Sequence, residues 1–127
     1  MQRHRIVTRF SVPRRQEAHY APVHADPEWL QFRLGLFRAV FVPSVQGLGI
    51  PVTLLCSSES ADFVRRRTRC FSWLNVEIQN DWYGGTEAAE DELITRLDSD
   101  DALCRGWFDA VDSAPRDRDV YISRRQL

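Results

Sequence analysis

The chain contains no lysine: all 17 of its basic residues are arginine. This excludes a Schiff-base lysine and a Walker-type phosphate loop, since each needs a lysine amine. Arginine, whose planar fork suits phosphate, is left as the permanent cation. Cysteine is scarce too. Cys56, Cys70 and Cys104 are widely spaced, odd in number and form no Cys-x-x-Cys pair. They read as buried, reduced thiols, with neither a disulfide framework nor a zinc site. Long apolar runs are missing. The nearest, "LGLFRAVFVPSV", is broken by Arg38 and Pro43, which argues against a membrane span. The opening "MQRHRIVTRF" is basic but lacks the apolar core and cleavage site of a signal peptide, so the cytoplasm is the expected location. The net charge is only −1, so no global field favours nucleic acid or an anionic membrane.

What is present suits one folded domain over residues 1–127. The hydrophobic fraction is 43%, with 4 Trp, 7 Phe and 3 Tyr, enough for a substantial core. "RHRIVTRFSV" alternates charged and apolar residues and predicts a strand over Arg5 to Val12. A polar loop with two prolines follows. Asp26 then caps a predicted helix, with Pro27 at its first position. Trp29, Leu30, Phe32, Leu36, Phe37 and Val40 recur at helical spacing, and Pro43 is expected to end or kink that helix.

"IPVTLLCS" reads as a strand covered on both faces, and "SSESADFVRRRTRCF" as a short helix whose charges suit its dipole. "WLNVEIQ" and "ELITRL" read as further strands, joined through the loop "NDWYGGTEAAED". "DDALCRGWFDAVDS" reads as a helix capped by aspartates, and "RDVYIS" as a last strand. Strands alternating with helices predict an α/β fold, a mostly parallel sheet with flanking helices.

One stretch carries chemistry. "ELITRLDSDDAL" delivers Asp98, Asp100 and Asp101 directly after an apolar strand. Two carboxylates about 6 Å apart repel by roughly 3 kcal/mol at an effective dielectric near 20. Capping a helix needs one of them, not three. A divalent cation, Mg²⁺ or Mn²⁺, removes the repulsion and fills its remaining positions with phosphate oxygens and water. Ligands of open α/β sheets bind outside the carboxyl ends of the strands, where this motif falls. By alternation, Leu93, Thr95 and Leu97 face one way, and Ile94, Arg96 and Asp98 the other. Arg96 is thus expected to pair with Asp98 or to reach a phosphate.

"TRLDSDDAL" resembles the Asp-x-Asp region of GT-A-type glycosyltransferases. More narrowly, the chain resembles a bacterial family of rhamnosyl transferases. The likeness rests on "IVTRFSV", "WLQFRLGLFRAVFVPSVQGLGIPVTLL" and "ITRLDSDDAL", in that order. It implies an incomplete GT-A, Rossmann-like nucleotide-diphospho-sugar transferase domain: the N-terminal, donor-binding half of a metal-dependent enzyme. Carried over by position, Asp98 and Asp100 would serve the metal. Asp98, Asp101, Arg96 and Arg9 would serve the nucleotide-diphosphate sugar. The acceptor, a glycan or other molecule, and the general base belong to a half that this length does not hold, so no catalytic residue is assigned. The alternative expectation is a truncated, non-catalytic remnant or binding module. A phosphatase or nuclease using the same aspartates is a third reading, without a recognisable nucleophile motif.

The remaining candidates have plainer readings. His19 and His24 lack a third metal partner and read as loop residues. Arg65 to Arg69, "RRRTR", form a cationic helix end without interleaved aromatics, so no nucleic-acid partner is expected. Asn80 or Asp81 could approach a nucleotide base, but a turn is the simpler role.

Overall fold

Charged and apolar residues alternate in "RHRIVTRFS", and this pattern forms the central strand. The computed structural model describes residues 3–13 and 23–113. Strand β1 spans Arg3–Ser11. It pairs in parallel with β2 (Val52–Cys56) on one side and β4 (Glu92–Arg96) on the other, while β3 (Leu74–Ile78) pairs in parallel with β2. The order is β3-β2-β1-β4, all parallel, and the chain is an α/β fold. The last strand expected, at residues 118–123, lies outside the described residues.

Helix α1 (Pro27–Leu36) starts as its sequence predicts. The Asp26 carboxylate accepts from the Glu28 backbone N–H at 3.1 Å, with proline in the first turn. Pro43 does not end the helix where expected. The chain widens into a π turn, Phe37–Phe41, and continues as α2 (Val42–Val45). In that turn the Val42 N–H reaches back five residues to the Phe37 carbonyl. The apolar stripe also differs from its prediction. Leu30, Leu34, Phe37 and Phe41 enter the core, whereas Phe32 and Val40 face solvent.

The sheet's two faces are covered differently. His4, Ile6, Thr8 and Phe10 share one face of β1 by alternation. Ile6 and Phe10 join Leu54, Leu30, Phe37 and Val64 in the main core. Helix α3 (Ala61–Arg67) packs there through Ala61 and Val64. Helix α4 (Trp107–Ser113) meets the same face, with the Trp107 indole N–H on Thr95 Oγ1 at 3.3 Å and Phe108 edge-on to His4. The described helices therefore all lie on one face.

The opposite face carries Val7, Val12 and Leu55, with Trp82 and Ile94 against them. Here the cover is the loop from β3 to β4. Connections between parallel strands are right-handed. The two moves from β1 to β2 and from β2 to β3 run one way across the sheet over the helical face. The step from β3 back past β1 to β4 runs the other way, so it must cross the other face.

Candidate functional site

The strand order turns at β1: the chain leaves it towards β2 and β3, and later returns to its other side as β4. Such a switch point opens a crevice at the strands' carboxyl ends. Arg9 and Ser11 stand at that end of β1, and the acidic motif follows β4 directly.

The motif forms a tight turn. The Leu97 N–H still donates to the Val7 carbonyl at 3.3 Å, and the Asp101 N–H closes on the Asp98 carbonyl at 3.0 Å. Ser99 turns inward and is buried, while the three carboxylates are exposed. One oxygen from each of Asp98, Asp100 and Asp101 lies within 4.8 Å of the others. Opposite ligand oxygens on Mg²⁺ stand roughly 4.2 Å apart, twice its bond length of about 2.1 Å. Small rotations of exposed side chains span the difference, and an all-carboxylate donor set suits a hard cation. The residues present therefore fit Mg²⁺ or Mn²⁺.

The turn's protein-supplied cation is Arg33, from α1. Its Nη2 donates to Ser99 Oγ at 2.5 Å, and its Nη1 reaches Asp100 Oδ2 at 3.4 Å. The guanidinium lies over the Trp29 ring at 5.8 Å, one helical turn earlier. Its Nε is shielded from solvent and meets no acceptor among the described residues. One arginine does not offset three carboxylates. Partial burial pushes the Asp101 carboxyl above its ordinary value, the charges of Asp100 and Asp98 add to that, and Arg33 opposes it.

The other expected site residues divide. Arg9 is half-buried at the end of β1, its guanidinium 4.8 Å from the centre of the Trp82 ring. Carried on two residues past the Val7–Arg96 pair, the register sets Arg9 level with Asp98. Arg96 does not meet Asp98 as expected. Its Nη2 donates instead to Thr86 Oγ1 at 3.0 Å, because the crossing loop passes over that face. The aspartates do not cap α4 either. They close their own turn, and Gly106 at φ 81° redirects the chain before the helix starts at Trp107.

Asn80 Oδ1 accepts from Ser58, and Asp81 Oδ1 accepts from the Tyr83 N–H, so both hold turns. His24 sits in a 3-10 turn, Val23–Ala25, and His19 lies outside the described residues.

Sequence reasoning missed two features. Arg33 is one; its available signal was a basic residue four positions after Trp29, between Leu30 and Leu34 of the buried stripe. The other is a buried hydroxyl chain at the ends of β1 and β2. Ser60 Oγ lies 2.5 Å from Ser11 Oγ and 3.0 Å from Ser57 Oγ. Beside it, burial pushes the Cys56 thiol up to about 11, so that thiol is inert at neutral pH. Cys70 and Cys104, expected to be buried as well, are exposed. A cleft of about 370 Å³ begins two residues past Asp101, between Gln46 and Leu48 on one side and Leu103, Cys104 and Trp107 on the other.

No known family, curated protein or solved structure matches the chain. Among the described residues, no helix is long and apolar enough to cross a membrane.

Proposed function

We propose that the chain is the donor-binding part of a metal-dependent glycosyltransferase, one that takes a nucleotide-diphosphate sugar, with a rhamnosyl donor as the narrower reading. The observation that carries this is the Asp98-Ser99-Asp100-Asp101 turn at the switch point of a parallel sheet, with Arg33 bound to it and Arg9 at the neighbouring strand end. The likeness of "TRLDSDDAL" to the Asp-x-Asp region supports the same reading.

Asp98 and Asp100 would hold Mg²⁺ or Mn²⁺, which supplies positive charge to a diphosphate leaving group. The chain's own residues do the rest. Ser99 and Arg33 fix the turn, so that the carboxylates point outward together. Arg33 Nη1 and Arg9 present fixed cations where phosphate charge would accumulate. Asp101, whose proton affinity is raised, is suited to a sugar hydroxyl or to completing the cation's shell. The acceptor and the general base are not assigned to residues of this chain.

The test is calorimetric titration with a nucleoside diphosphate in Mn²⁺ and again in EDTA. Binding is expected in Mn²⁺, with loss of at least tenfold in affinity in EDTA and in Asp100→Asn. Equal binding in both buffers, or an unaffected Asp100→Asn protein, sinks the proposal. The second reading, a binding module without transfer, shares the donor site. Donor hydrolysis or transfer by this chain alone would decide against it.

A further inference from the structure

The α1–α2 segment exposes an apolar strip alongside the polar residues Glu28, Gln31 and Arg38 that a surface helix normally shows. Its inner side is filled by Leu30, Leu34, Phe37, Phe41 and Val45. Its outer side carries apolar residues too, beyond Glu28 and Gln31 of the first turns. Phe32, Gly35, Ala39, Val40 and Pro43 recur at intervals of three and four residues, and all are exposed. Phe32 leaves 65% of its surface in solvent, and Val40 36%. A Cβ placed on Gly35 would meet nothing within 4 Å, so this side is open. Contiguous exposed apolar surface of this kind marks a contact face.

A second observation says what covers it. Helix α3 lies beside α1 on the same face of the sheet, so the outer sides of both helices point away from the sheet together. The outer side of α3 and its C-terminal end are rich in arginine, with the exposed acids Glu59 and Asp62 at its start. Arg66 and Arg69 are exposed, Arg67 is half-buried over Phe63, and Arg65, though exposed, turns its Nη2 to the Val76 carbonyl of β3 at 3.1 Å. Arg38, from the π turn, donates to the Arg67 carbonyl at 2.5 Å, so this fifth arginine joins the apolar strip to the charged one. Asp62 takes only one of the five, Arg65, at 3.5 Å.

We propose that this helical layer docks on the surface of an anionic phospholipid bilayer. Phe32 and Val40 would enter the headgroup boundary, and the arginines would meet lipid phosphate. An apolar strip flanked by basic residues is the pattern of a helix lying in a membrane interface. Nucleic acid would use the arginines but leave Phe32 and Val40 unexplained. A second copy would use the apolar strip but bring two arginine clusters together. The inference is independent of the proposed sugar-nucleotide site and uses none of its residues.

The experiment is co-sedimentation of the whole chain with vesicles of phosphatidylcholine alone, and of an equal mixture of phosphatidylcholine and phosphatidylglycerol. Binding is expected to the anionic vesicles only, and to weaken with salt. Each basic residue near an anionic surface contributes about fivefold, so Arg66→Gln with Arg69→Gln should lower partitioning roughly 30-fold. Phe32→Ser should lower it at least tenfold, and all these positions are exposed, so the folded circular-dichroism spectrum should persist. Absence of vesicle binding overturns the inference. So does equal binding to both vesicle types, or arginine variants that bind like wild type. Preference for a DNA duplex over anionic vesicles overturns it, as does dimerisation that Phe32→Ser abolishes without vesicle binding.

Discussion

At the scale of single residues, Arg33 does the most with the least warning in the sequence. It sits on the flank of α1 between the buried Leu30 and Leu34, and reaches the acidic turn on Ser99 and Asp100. In the proposed site it faces two demands. Towards a bare cation it is a competitor, because it occupies an oxygen of Asp100 and repels Mn²⁺. A single charge about 6 Å from a divalent ion costs roughly 1.4 kcal/mol even at the dielectric of water. Towards a diphosphate it is an ally, since a hydrogen bond to a charged group contributes about 1.5–3 kcal/mol. Arg33→Gln is therefore expected to bind Mn²⁺ alone about tenfold more tightly, and to bind a nucleoside diphosphate in Mn²⁺ at least tenfold more weakly. Calorimetry reads both. If the variant weakens both, Arg33 merely holds the turn in shape. The three aspartates were legible in the sequence because they fall within four positions, but Arg33 was not. Its partner lies 67 positions away, and nothing local in an amphipathic reading separates a solvated flank charge from one bent towards a neighbour.

At the scale of elements, the strands were the legible part. β2 reads as an apolar run because helices cover one face and the crossing loop the other, and every residue of it is buried. The failures have local causes. Pro43 was expected to end or kink α1; the helix does not end there, because a π turn carries it past the lost N–H as far as Val45. The helix at the end of the acidic motif starts at Trp107, since capping propensity at Asp101 lost to a turn closed by Asp98. The loop "NDWYGGTEAAED" gave no hint that it forms one of the sheet's two covers. Its glycines show how closely it lies. A Cβ on Gly85 would come within 3.0 Å of Leu55 Cδ1, and its φ of 78° strains any other residue. Gly85→Ala is thus expected to lose about 1–3 kcal/mol in urea unfolding, from crowding against Leu55 and backbone strain together. An unchanged midpoint would mean that the loop lifts off the sheet at little cost. The Arg9–Trp82 contact would then not be held in place for a ligand.

At the scale of the molecule, one sheet presents two surfaces that point in different directions. The acidic turn lies at the carboxyl edge of β4 and faces along the strands. The arginine cluster lies on the outer side of α3, which packs towards the β2–β3 side, while β4 stands at the opposite edge of the described sheet. Both are served by α1 and the π turn that continues it: Arg33 leaves α1 towards the acidic turn, and Arg38 leaves the π turn towards α3. Effects at sites without shared partners add, with departures of about 0.5 kcal/mol or less, a factor near two. The variant combining Asp100→Asn, Arg66→Gln and Arg69→Gln is therefore expected to show the nucleotide affinity of the first change alone and the vesicle partitioning of the other two alone. The same two assays, titration and co-sedimentation, measure it. A departure beyond twofold in either would mean that α1 transmits between the surfaces. In that case, anionic vesicles added to the wild-type chain should shift its affinity for the nucleoside diphosphate in Mn²⁺ by the same factor, because coupling between two binding sites is reciprocal.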